Sequence, residues 1–228
     1  MPHPNGVHHL AICTGDMKAQ IEFMTRVLGM ELVALYWMHG VPGAWHGFLK
    51  LNDHSSIAFV HTPEIEKVER KLGVSHAGSP GGVSAAGTMQ HLALNVDTFD
   101  DLLALRDRIR SHGITVLGPI HHGMCDSIYF AGPEDLALEI ATSERAIDAR
   151  VWIDPEVVAL AGITDAELAR FKQPEPFISQ RGRVGQPAFD ERRPYPRAWP
   201  GYEKLVRMPD AEFTERMSVP DPPVKVGD

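Results

Sequence analysis

Hydrophobic positions along this chain follow two periods, one of two residues and one of about 3.6, and the periods alternate in the same order twice. From His9 the chain reads HLAICTGDMKAQIEFMTRVLGMEL, and from His91 it reads HLALNVDTFDDLLALRDRIRSHGITV. Each stretch opens on a histidine heading a short strand, passes through acidic residues and enters a helical pattern. In the first helix Ile21, Met24 and Leu28 fall at i, i+3 and i+7, beside Phe23 and Val27, and Gly29 marks the stop. In the second, Leu102, Leu105 and Ile109 repeat that spacing, Gly113 ends it, and Thr98 with Asp101 forms a capping pair at its start. Strand patterns follow each helix: ELVALYWM, WHGFLKLN and SSIAFVHT in the first half, ITVLGPI, DSIYFAG and LALEIAT in the second. The order is strand, helix and three strands, repeated.

This repeat predicts an α+β fold of two paired βαβββ modules, residues 1–74 and 88–145, forming a curved mixed sheet. Residues 75–87, SHAGSPGGVSAAG, are small and read as the linker. Beyond residue 144 the character changes, and eleven of the eighteen prolines lie there. The pattern predicts a helix at DPEVVALAG, capped by Asp154 with Pro155 in its first turn, and another at TDAELARF, where Thr164 and Glu167 form a capping box. The stretch from KQPEP to GYEKL reads as extended and proline-rich. Its Phe177, Phe189, Tyr195, Trp199 and Tyr202 are too many aromatics for a solvated tail. Residues 146–228 are therefore expected as an extension packed on the domain or on a partner subunit, with no core of their own.

Composition narrows the function. The 228 residues carry a net charge of -8 and no basic block, which argues against nucleic acid as a partner. No apolar run approaches the roughly 18 residues of a membrane span. The start, MPHPNGVHHL, lacks the pattern of a secretion signal. Cys13 and Cys125 make no secreted-type framework, so a cytoplasmic location is expected.

The twelve histidines matter through their positions. His9 and His91 head equivalent strands of the two repeats, and Glu139 interrupts the apolar run LALEIAT. A carboxylate within a sheet is costly unless paired or bound to a metal. Two imidazoles and one carboxylate with open positions form the ligand set of non-haem Fe(II), and Mn(II) also suits it.

Residues 7–142 resemble the vicinal oxygen chelate superfamily, which is built from paired βαβββ modules around a metal site. Within them IHHGMCDSIYFAGPEDLALE is similar to the signature of type I extradiol ring-cleavage dioxygenases: Ile120, His121, His122, five residues, Ile128, Tyr129, then Pro133 and Glu139. Gly132 and Asp135 depart from that signature in its turn. The resemblance implies His9, His91 and Glu139 as metal ligands, with His122 and Tyr129 as proton-transfer and hydrogen-bonding groups. The stretch FLKLNDHSSIAF resembles the family segment that bears a His-His pair beside the oxygen site; here His54 is followed by Ser55. His54 is thus a third candidate catalytic residue, while His121 reads as a surface or turn residue.

The resemblance implies an Fe(II)-dependent extradiol dioxygenase of aromatic catabolism, acting with O2 on a catechol-like diol, and a homo-oligomer is expected. Trp37, Trp45 and Asp126 are the candidate substrate contacts, whereas Tyr36 and Phe48 read as sheet core. One alternative is a glyoxalase-type isomerase or lyase, which takes a glutamate from both modules. Aligning SSIAFVHT with LALEIAT sets Phe59 opposite Glu139, which favours the dioxygenase. A third reading is a binding or resistance protein that holds a ligand without metal.

Overall fold

The computed structural model describes residues 3–145, 148–190, 192 and 201–224. Both halves take the expected order. The first module runs β1 (His9–Cys13), α1 (Met17–Glu22, continued as a wider π turn over Phe23–Val27), β2 (Glu31–Trp37), β3 (Trp45–Asn52) and β4 (Ser55–His61). The second runs β5 (Leu92–Asn95), α2 (Phe99–Ser111), β6 (Leu117–His121), β7 (Asp126–Ala131) and β8 (Ala137–Thr142). The two sheets have matching orders, β1-β4-β3-β2 and β5-β8-β7-β6, with the first pair of each parallel and the others antiparallel.

Strand alternation gives each sheet two unlike faces. On one, Leu10, Ile12, Leu49, Ile57 and Phe59 join Met17, Met24 and Val27 of the first helix. Leu94, Ile128, Phe130, Leu138 and Ile140 join Leu102 and Ile109 of α2 in the same hydrophobic cluster. Both helices and both sheets therefore share one core. The opposite faces, which carry His9 and Glu139, remain open.

The modules are also fastened at both ends of the first helix. Glu134, in the β7–β8 turn, accepts from Gly15 N–H (2.9 Å), Thr14 Oγ1 (2.5 Å) and Gln20 Nε2 (2.9 Å) around the start of α1. Arg108 of α2 donates to the Val27 and Arg26 carbonyls (2.9 and 3.0 Å) at the other end. Anion at the N-terminus and cation at the C-terminus match the helix dipole.

The extension forms α3 (Pro155–Leu160), capped by Asp154, and α4 (Asp165–Lys172), with both bonds of the Thr164–Glu167 capping box. A further helix, α5 (Tyr202–Leu205), corrects the expectation that the chain stays extended as far as Leu205, and α6 (Asp210–Met217) follows it. Proline density suggested extension, but the stretches between prolines are long enough for one or two turns. Tyr195 and Trp199 lie outside the described residues. Among the described residues, no helix is long and apolar enough to cross a membrane.

Candidate active site

The site grows from one row across the second sheet. Ala93, Glu139, Tyr129 and Leu117 are successive cross-strand partners, so they share a face, and His91 precedes Ala93 by two residues. Glu139 is 5% exposed. His91 Nε2 lies 2.9 Å from Glu139 Oε2. Tyr129 hydroxyl lies 2.8 Å from His122 Nε2. His91, Glu139, Tyr129 and His122 thus form one continuous string on the open face.

Burial pushes the Tyr129 phenol above its usual range; Ser127 opposes this, while the Glu139 carboxylate adds to it. At the other end, His91 Nδ1 pairs with Gln90 Oε1. The Gln90 amide cannot flip, because its Nε2 donates to the carbonyls of Ser79, Pro80 and Gly82 at 3.0, 2.8 and 3.1 Å. Gln90 Oε1 therefore receives the His91 Nδ1 proton, leaving Nε2 facing the carboxylate. Two electron-rich atoms at this separation need a shared proton or a cation between them. This is the donor chemistry of a metal site, with the ligand histidine oriented by its second nitrogen.

The third expected ligand is elsewhere. Across the seam between the modules, one cavity of about 610 Å³ brings Leu10–Cys13 together with Met89 and Leu136. A second, of about 860 Å³, brings Val7 and Ser55 together with Asn95–Asp97. Strands β1 and β5 thus run past each other in opposite senses, and His9 sits at the far end from His91. The His9 ring leans over its own sheet, edge-on to Phe48 (centroids 5.5 Å apart), with Nδ1 2.9 Å from His8 Nδ1. Among the described residues, no three His, Cys, Asp or Glu side chains gather to hold a metal. One chain supplies two adjoining donors of the expected three, and His9 is not brought to them.

The remaining candidates divide by face. Trp45 packs on the core beside His61 (centroids 5.1 Å apart), on the helix side of its sheet, and its cross-strand partner Trp37 is on that side too. The open face instead carries Tyr36, His46 and Phe48, with Tyr36 4.4 Å from His46 and His46 4.8 Å from Phe48 between centroids. This reverses the expected division of the aromatics. His46 is lowered below its ordinary value by burial, then by the proximity of His9 and His39.

Asp126 also faces the helix side, where His121 and Arg145 bind its carboxylate, with Arg145 Nη2 at 2.7 Å. Burial raises its carboxyl, but these hydrogen bonds outweigh that and hold it below the usual range. The geometry takes Asp126 away from the open face and engages His121, which the sequence had left idle. His54 is exposed in the β3–β4 turn, its backbone N–H bound to Asn52 Oδ1 (2.8 Å). Ser55 Oγ donates to the Val7 carbonyl (2.6 Å). The counterpart of Glu139 in the first module is Ala58, opposite Ala11 in the register, and not the buried Phe59.

Paired βαβββ modules with a shared core and sheet faces bearing histidine, glutamate and tyrosine define a glyoxalase-type architecture. Residues 6–140 match the model of the Glyoxalase/Bleomycin resistance protein/Dioxygenase superfamily, and the chain belongs to it. It is 38% identical over 69 residues to biphenyl-2,3-diol 1,2-dioxygenase 2 of Rhodococcus globerulus. That match covers 30% of this chain and only 36% of the relative. A glyoxylase/bleomycin resistance protein/dioxygenase domain from Frankia sp. EAN1pec is 15% identical, covering 62% of this chain and 99% of that one, with a TM-score of 0.48. Lactoylglutathione lyase from Agrobacterium tumefaciens is 17% identical, covering 62% and 96%, with a TM-score of 0.44.

Proposed function

We propose that this chain is a metal-dependent extradiol dioxygenase that opens the ring of a catechol-like diol with O2, using Fe(II), with Mn(II) as the alternative metal. The observation that carries the reading is the string His91–Glu139–Tyr129–His122, a buried carboxylate between an oriented imidazole and a proton-bearing pair. The name of the Rhodococcus relative, an aromatic diol dioxygenase, supports the substrate class. His91 and Glu139 are two donors, and His9 from a second copy in a homo-oligomer is the third. When bound, the metal supplies Lewis-acid activation and electron coupling between diol and oxygen.

The chain's own residues do the rest. Tyr129 offers its hydroxyl to a diol oxygen. His122, bound to Tyr129, takes up and returns protons, the task an imidazole performs best near neutral pH. Tyr36, His46 and Phe48 present ring faces for stacking an aromatic substrate. The free thiols Cys13 and Cys125 suit a reducing, cytoplasmic setting.

A glyoxalase-type isomerase draws a carboxylate from each module, and Ala58 stands at that position in the first. This favours the dioxygenase. Anaerobic loading with Fe(II), followed by an oxygen-uptake screen over catechols, tests the reading: uptake that depends on both iron and a vicinal diol is expected.

A further inference from the structure

The turn that carries His122 is held from three sides, and one of them is the C-terminal extension. His122 N–H donates to the Cys125 carbonyl (2.9 Å), closing a short turn through Gly123 and Met124. At its base His121 and Arg145 bind Asp126, and Arg145 lies over the Phe99 ring, 4.6 Å from its centroid. At its tip lies Trp152. Gly123 has φ +81°, and a Cβ added there would fall 2.3 Å from Trp152 Cζ2 and 2.6 Å from Cη2, so the indole rests directly on the glycine backbone. Only glycine combines that φ with so close a neighbour.

Trp152 is itself fixed by its sequence context. It ends the short 3-10 turn Ala149–Trp152, where Asp148 accepts from Arg150 N–H, and two residues later Asp154 caps α3. Capped turns on both flanks hold the indole in position, although it is 49% exposed. A half-exposed tryptophan seated on one glycine contributes little to the core. Its effect is felt in the turn beneath it.

We propose that Trp152 is a positioning residue: by resting on Gly123 it holds the His122 imidazole against Tyr129 and makes the extension part of the active site. The inference rests on the role given to His122 in the proposed function. Displacing a reacting group by about 1 Å can cost up to 10²-fold in rate. Trp152→Ala should therefore lower kcat about tenfold or more while KM and iron content stay near those of the parent protein. Trp152→Phe, which keeps a flat ring over the glycine, should restore most of the rate.

An independent readout is the nitrogen and ring-proton NMR spectrum of His122. The parent should show a single set of His122 signals, and Trp152→Ala should shift or broaden those signals. If Trp152→Ala fails to fold, Trp152→Leu serves in its place. Unchanged His122 signals, or a kcat within twofold of the parent, overturn the proposal. If no catechol is turned over but the His122 signals move, the dioxygenase reading fails and the positioning stands.

Discussion

Glu139 is the residue that gives the others a purpose. It is buried in a sheet, pairs with His91 on one side and stands opposite Tyr129 across the strands on the other, and is a liability without a cation or a proton beside it. His122 stands one link further, bound to Tyr129. General acid–base assistance is worth about 10²–10⁴ in rate, so His122→Gln should bind iron and catechol normally yet turn over slower by about that factor. Parent-like turnover at equal iron content would remove His122 from the chemistry. His91 and Glu139 were legible as sequence because the first repeats between modules and the second breaks an apolar pattern, whereas Tyr129 and His122 were legible through the resemblance to the dioxygenase signature. Gln90 was not, since a glutamine beside a histidine carries no periodic signal. Its importance comes from three linker carbonyls that lie 8 to 11 residues earlier.

At the scale of elements, the two periods of apolar residues located the eight strands and the two module helices of the described residues, because burial of one face leaves a period in the sequence. Alternation does not say which face meets the helices. That is why Trp37 and Trp45 read in the sequence as pocket wall and Tyr36 and Phe48 as core. The same limit shifted Phe59 one residue from Ala58, and one residue exchanges the faces of a strand. The β7–β8 turn holds Glu134 at φ 57° and Asp135 at φ 62°, conformations unfavourable for side-chain-bearing residues, against the contacts of Glu134 with the start of α1.

Burial raises the Glu134 carboxyl, and its bonds from Thr14, Gln20 and Gly15 outweigh that to hold it below the usual range. A carboxyl depressed in the folded state stabilises the fold fully above its unfolded value, near 4.5, and loses that contribution as the pH falls through the folded value. Glu134→Gln should cost about 1–2 kcal/mol at pH 7, since the group is half-exposed, and should flatten the acid limb of stability. Thermal unfolding of both proteins from pH 7 to 3 measures this; parallel curves would mean that the contact is idle.

For the whole molecule, the decisive feature is the separation of His9 from His91 and Glu139 at opposite ends of the seam. A symmetric pair of chains can supply His9 from one copy to the His91–Glu139 pair of the other, making two equivalent sites. His9→Ala and Glu139→Ala chains should each bind no iron alone. Mixed and reassembled, they should regain iron, because each mixed pair keeps one intact site; a mixture as empty as its parents would place all donors within one chain. The sequence repeat made the ligands visible but not their pairing, which depends on how the modules pack and leaves no local pattern.

The most direct measurement of the central claim is oxygen uptake by the anaerobically Fe(II)-loaded protein, parent and Glu139→Ala side by side, on a series of vicinal diols. The account predicts uptake by the parent with at least one catechol, accompanied by a ring-opened product, and none by Glu139→Ala above free Fe(II). Uptake no greater than that of free iron with every diol, or equal uptake by the two proteins, would contradict it.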